Sequence, residues 1–192
     1  MWPILLGYLA GSVPFAFLLA RRAGIDVRFA GSGNVGAANV MRTAGTRRAI
    51  LVMALDVAKG SLAVALASVV HAGVTLTALA AAAAVVGHIY PVWLRFHGGK
   101  GVAVAAGVFV VLTPLATGVA AMLFLVIVSA TRYVSLGSIA ATLALPPAAW
   151  ATGEPVAVVI AAAGSAALIL FRHRGNIRRL RAGTERRMGA RA

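Results

Sequence analysis

Seven apolar runs, separated by short clusters of basic residues, constrain this chain more than any other feature. The runs are Met1 to Ala20, Ala49 to Val70, Thr75 to about Leu94, Val102 to Leu112, Leu115 to Ala130, Val134 to Trp150 and Pro155 to Phe171. A membrane-spanning helix needs about 20 apolar residues, fewer where protein shelters it. Only 11% of the 192 residues are charged, against about 25% in soluble domains. A water-facing surface cannot be built from so few charges, so lipid is the expected solvent. The N-terminus has no basic stretch before its first apolar run, and Arg21 and Arg22 follow that run. A cleaved signal peptide has the opposite order, so an uncleaved first span is expected.

The charges give the spans a direction. With the N-terminus outside, residues 21–48, 94–101, 131–133 and 172–192 fall on the cytoplasmic side. Of the 18 Lys and Arg, 17 lie in these segments, and the other is Lys59, inside the second run. The opposite loops, near 71–74, 113–114 and 151–154, carry none. This is the positive-inside pattern. It explains the net charge of +14 better than nucleic-acid binding does, and no nucleic-acid partner is expected. The predicted fold is an all-α membrane protein of seven transmembrane helices, N-terminus outside and C-terminus cytoplasmic, in a single polytopic domain over residues 1–192. The fourth run has about 11 residues and must recruit the glycine-rich link before it, tilt, or be sheltered. Small residues such as Ala80 to Ala84 read as packing faces. The absence of an internal repeat argues against a transporter built from inverted halves.

Three polar segments carry chemistry. The first reads Gly31-Ser32-Gly33-Asn34-Val35-Gly36-Ala37-Ala38-Asn39-Val40-Met41-Arg42. Its G-x-G-x-x-G pattern follows a membrane span rather than a strand, which excludes a dinucleotide fold. Gly31, Gly33 and Gly36 still permit close backbone approach. Ser32, Asn34, Asn39 and Arg42 add donors, so the segment reads as a cradle for phosphate or carboxylate. The second segment ends in Gly98-Gly99-Lys100-Gly101, opening an apolar run. Bare backbone N–H groups, a helix N-terminus and a lysine would suit an anion there. It is not a Walker A loop, because Leu94 and Gly101 replace the required Gly and Ser/Thr. His88, just upstream, reads as a hydrogen-bonded helix-end histidine or as a base. The third segment is the tail from Arg172. Lipid headgroups account for Arg186, Arg187 and Arg191 but not for His173, Asn176 and Glu185. His173 and Asn176 are spaced to share a helical face. Glu185 is expected to pair with an arginine and orient the cluster. Asp56 and Lys59, at i, i+3 inside the second run, are readable either as a structural ion pair or as a wall of the site. No cluster of His, Cys and acids suggests a metal, and no cofactor is expected.

At these residues the chain resembles the bacterial acyl-phosphate-dependent glycerol-3-phosphate acyltransferases. The likeness runs through Gly31 to Asn39 with Arg42, through Gly87-His-Ile-Tyr-Pro and Gly98-Gly-Lys-Gly-Val, and through His173, Asn176-Ile-Arg-Arg-Leu and Gly183-Thr-Glu. Asp56-Val-Ala-Lys59-Gly60 and Thr131-Arg-Tyr-Val-Ser-Leu136 match as well. Ala38 and His97 depart from the family pattern, which usually has Thr and Lys there. The resemblance implies a multi-pass protein of the bacterial inner membrane, with its site facing the cytoplasm. It implies sn-glycerol 3-phosphate and acyl phosphate as substrates, contact with membrane lipid, and transient contact with the enzyme that makes acyl phosphate. It implies that Ser32, Arg42 and Lys100 hold phosphate, with Gly98, Gly99 and Gly101 around it. His173 and Asn176 would orient the hydroxyl or stabilise the oxyanion. No Asp lies five residues after any histidine, so the pattern of acyl-CoA-using acyltransferases is missing. The rival reading is a small-anion transporter, with phosphate or glycerol phosphate as cargo.

Overall fold

A computed structural model describes residues 1–70 and 72–189; His71 and Arg191 lie outside the described residues. Every regular element among them is helical. The chain divides into two compact units, Met1–Leu112 and Thr113–Ala192.

The first unit begins with α1 (Trp2–Ser12) and α2 (Phe15–Arg21). Sequence reading takes Met1 to Ala20 as one run, but the structure breaks it at Val13-Pro14. Pro14 has no N–H to continue the helical ladder. Next come α3 (Ala37–Ala44), α4 (Thr46–Val69), α5 (Gly73–Ile89), a single 3₁₀ turn over Val92–Leu94, and α6 (Val102–Leu112). The segment 21–48, expected to be loop, therefore contains a helix and the start of another. Val40 and Ala44 are buried at helical spacing on α3, while Arg42 is exposed. They join Val27, Val35, Val52 and Leu94 in a small apolar core that pins the segment to α4.

Helices in this unit approach until backbones touch. A Cβ placed on Gly7 or Gly11 of α1 would collide with the carbonyls of Ala80 or Ala84 on α5. The same holds for Gly60 of α4 against Val104, and for Gly107 of α6 against Val57. In lipid, where no hydrophobic force gathers helices, this close dispersion contact replaces it. Two polar clamps tie α1 to the chain just after α5: Tyr8 donates to the Tyr90 carbonyl at 2.9 Å, and Trp93 Nε1 donates to Ser12 Oγ at 2.8 Å.

The second unit holds α7 (Pro114–Thr131), α8 (Val134–Ala151), α9 (Val156–Arg172) and α10 (Arg174–Arg181). The chain bends by 57° between α9 and α10. The tail then returns over the α7–α8 link, where the Met188 N–H donates to the Arg132 carbonyl at 2.7 Å.

Among the described residues, five helical segments are long and apolar enough to cross a membrane: Trp2–Arg21, Thr46–Val69, Gly73–Leu94, Pro114–Thr131 and Val134–Ala151. The bent α9–α10 pair makes a sixth if counted as one span, and α6 is shorter. Large apolar side chains such as Leu115, Met122 and Ile160 lie on the outside, while Ser12, Thr113 and Ser165 are buried. That inverted distribution suits a hydrocarbon solvent. The chain is a multi-pass, all-helical membrane protein.

Candidate functional site

The first glycine loop closes around one buried amide. Asn39, in the first turn of α3, is 1% exposed. Its Oδ1 accepts the Ser32 N–H at 2.8 Å, and its Nδ2 donates to the carbonyls of Val27 and Ala30, both at 3.0 Å. Both amide hydrogens are thus engaged inside the loop, so Asn39 supports the cradle from within. Gly31, at φ 65°, lies so close to Asn39 Oδ1 that a side chain there would collide with it. Ser32, Gly33 and Arg42 are exposed, and Asn34 and Gly36 are half-buried. At the base of the loop Arg28 donates to Asp26 at 2.6–3.2 Å. That guanidinium draws the Asp26 carboxyl down to about 2.

The second loop corrects one expectation. Gly98 and Gly99 do not offer bare N–H groups: they donate to the carbonyls of Ile89 and His88, each at 3.1 Å. The chain reverses after Pro91 through Arg95 and Phe96, both at positive φ, and lays the glycines on the C-terminal end of α5. Orphan helix carbonyls are satisfied there instead of an anion. Gly101, at φ 92°, opens α6, and its carbonyl accepts the Ala105 N–H at 2.8 Å. Lys100 is half-buried between them.

The two loops meet. A Cβ on Gly99 would collide with both the Val35 carbonyl and the His88 ring. Beneath this junction a small cavity is lined by Val35, Gly98, Gly99, His88, Asp56 and Lys59, among others. Lys59 Nζ lies 2.8 Å from Asp56 Oδ1 and donates to the Val13 carbonyl at 2.7 Å and to His88 Nδ1 at 3.0 Å. Asp56 and Lys59 are therefore both an ion pair and part of a cavity wall. The Val13 carbonyl is available because α1 ends one residue earlier, at the break before Pro14.

In the second unit, His173 sits at the bend between α9 and α10 and is 2% exposed. Its Nδ1–H donates to the Ile169 carbonyl at 2.8 Å, which sets Nε2 as the proton-accepting nitrogen of the neutral ring. Asn176, also buried, donates to Glu185 Oε1 at 2.6 Å. Ser135 Oγ donates to the same oxygen at 2.7 Å, and Arg179 Nε to Oε2 at 2.6 Å. Burial opposes ionisation of Glu185, but the donors Ser135, Asn176 and Arg179 outweigh it and hold the carboxyl below its usual value. Sequence reasoning missed Ser135: the segment Thr131 to Leu136 matched the family pattern, but nothing in it pointed to a glutamate 50 residues away.

The family described as glycerol-3-phosphate acyltransferase matches residues 1–183. A glycerol-3-phosphate acyltransferase of Rubrobacter xylanophilus is 47% identical over 190 residues, covering 98% of this chain and 95% of its own. One of Myxococcus xanthus is 47% identical over 192 residues, covering 96% and 97%. Among solved structures, PlsY (YgiH), an integral membrane glycerol 3-phosphate acyltransferase, superposes in its glycerol 3-phosphate form with a TM-score of 0.94 at 40% identity, over 98% of this chain and 94% of that one. Its lysophosphatidic acid form gives 0.91 at 39% identity, with the same coverage. With the helices and both glycine loops inside the matched length, the chain belongs to the glycerol-3-phosphate acyltransferase family.

Proposed function

We propose that this protein transfers an acyl group from acyl phosphate to the 1-hydroxyl of sn-glycerol 3-phosphate, giving 1-acyl-glycerol 3-phosphate (lysophosphatidic acid) and inorganic phosphate. The observation that carries this reading is the junction of the two glycine loops at Val35 and Gly99, in a chain 40% identical to an acyltransferase solved in a glycerol 3-phosphate form. On this reading Ser32, Arg42 and Lys100 hold phosphate. Gly31, Gly33, Asn34 and Gly36 shape the first cradle, Asn39 supports it, and Gly98, Gly99 and Gly101 shape the second. The substrate hydroxyl attacks the acyl carbonyl, the carbonyl–phosphate bond breaks, and phosphate leaves. A mixed anhydride has a good leaving group, so positioning and charge stabilisation carry most of the catalysis. His173 and Asn176 orient the hydroxyl or stabilise the oxyanion. The hydroxyl proton passes to a phosphate oxygen of the substrate, with His173 Nε2 as the competing acceptor.

We also read seven spans with the N-terminus outside, a cytoplasm-facing site, and residence in the bacterial inner membrane. The span count and orientation rest on the distribution of Lys and Arg, and the inner membrane on the family resemblance. The test of function is purified protein given glycerol 3-phosphate with either acyl phosphate or acyl-CoA. Lysophosphatidic acid is expected from acyl phosphate alone. Product from acyl-CoA would overturn the donor, and product from neither would overturn the activity.

A further inference from the structure

The buried group beneath the loops takes no part in the transfer just described. Asp56 and Lys59 are 2% and 5% exposed within a span, where ionisable side chains are costly. A pair serving only α4 would need nothing beyond its own i, i+3 spacing. Lys59 reaches further. An ammonium has three hydrogens, and three acceptors surround this one: the Val13 carbonyl at the α1 break, Asp56 on α4, and His88 Nδ1 in the last turn of α5.

His88 carries the connection onward. Its Nδ1 accepts from an ammonium, so the neutral ring bears its hydrogen on Nε2. That nitrogen lies against Gly99 so closely that a Cβ on Gly99 would collide with it. The main chain of His88 holds the same glycine through the Gly99 N–H, and the adjacent Ile89 carbonyl holds Gly98. The imidazole is thus part of the floor on which the glycine pair rests, and Lys100 is the next residue.

We propose that Asp56, Lys59 and His88 form a positioning group that holds the Gly98–Gly101 loop in register for glycerol 3-phosphate; this rests on the acyltransferase reading. Asp56 and the Val13 carbonyl aim Lys59, Lys59 fixes the ring of His88, and the ring fixes the loop.

Lys59→Met alone strands a buried carboxylate, which disrupts folding. The paired variant Asp56→Leu/Lys59→Met leaves no uncompensated charge and is the one to measure, in the full-length protein purified in detergent. A small displacement of positioning groups is expensive, so KM for glycerol 3-phosphate is expected to rise about tenfold or more. Loss of binding rather than of chemistry leaves kcat within about threefold. A second series keeps the ion pair intact. His88→Leu should raise KM similarly, and His88→Asn, which restores an acceptor near Nδ1 for Lys59 but not the ring edge against Gly99, should recover only part of the loss. The ring nitrogens of ¹⁵N-labelled His88 give a readout apart from activity: the Nε2-protonated tautomer in the wild type, lost in the paired variant. Folded variants with wild-type KM, or a wild-type ring protonated on Nδ1, would overturn the proposal. A wild-type protein that makes no lysophosphatidic acid overturns the activity instead, and the His88 tautomer still tests the positioning group.

Discussion

Glu185→Gln tests how the tail is held. The carboxylate is 5% exposed at its side chain and accepts three donors, of which Arg179 is 47% exposed. The Arg179 contact counts as a surface pair, worth about 0–1 kcal/mol. Ser135 and Asn176 are buried and share one oxygen, and a hydrogen bond to a charged group is worth about 1.5–3 kcal/mol against about 1 for a neutral one. Glutamine keeps the shape and loses the charge, so the two buried bonds weaken together by about 1–3 kcal/mol. For a chain of this size, at about 2–4 °C per kcal/mol, that lowers the thermal transition by about 2–12 °C. The sign with pH follows from the lowered carboxyl. The stabilisation is fully present above the unfolded value of 4.5 and disappears as pH falls through the lowered folded value. The gap between wild type and Glu185→Gln should therefore be full at pH near neutrality and shrink in acid. Intrinsic tryptophan fluorescence of the detergent-purified protein, scanned with temperature at several pH values, reads it directly. A gap below about 1 °C at neutral pH, or one that widens in acid, would refute the reasoning.

Arg42→Ala and Lys100→Ala should each raise KM for glycerol 3-phosphate by about tenfold or more while leaving the thermal transition near wild type, because charge at an anion site contributes binding rather than packing. Steady-state kinetics beside the melting scan separates the two effects. Gly107→Val should sharply reduce the yield of folded protein, since its side chain would displace the Val57 backbone; Gly118→Val on α7, with nothing within 4 Å, is the matched control and should purify normally.

What was legible in the sequence follows from which forces act locally. The apolar runs became helices because hydrocarbon leaves the backbone no other partner. The Asp56–Lys59 pair was readable from its i, i+3 spacing, but its third member, His88, is 29 residues from Lys59. The break at Val13 was hidden because proline is tolerated in membrane helices whose neighbours satisfy the freed groups. Here the neighbour is Lys59, 46 residues further on. The glycine loops were legible as places where backbone comes close to something. At Gly98 and Gly99 that something is the end of α5, because the turn through Arg95 and Phe96 folds the chain back there. Two turns of α3 were too short a pattern to separate from a polar loop, although its buried Val40 and Ala44 carry helical spacing.

The same folded-back loop bears on the number of spans. With 11 residues, α6 is about 16 Å long, roughly half the hydrocarbon thickness of about 30 Å. Length alone argues that it does not cross. Non-helical backbone is nevertheless allowed at membrane depth where protein buries it and satisfies its N–H groups. Gly98, Gly99 and Gly101 are buried, and the first two have their N–H groups bound. The loop can therefore supply the depth that α6 lacks. Charge favours this. If α6 did not cross, Arg132 and the eight arginines of the tail would lie on the face opposite Arg47 and Arg48, against the positive-inside pattern. The chain has no cysteine, so single cysteines report cleanly. In intact cells, a membrane-impermeant maleimide should label Thr152→Cys at once and reach Arg47→Cys and Arg186→Cys only after permeabilisation. Labelling of Arg186→Cys in intact cells, with Thr152→Cys protected, would show that α6 turns back and that the seven-span reading is wrong.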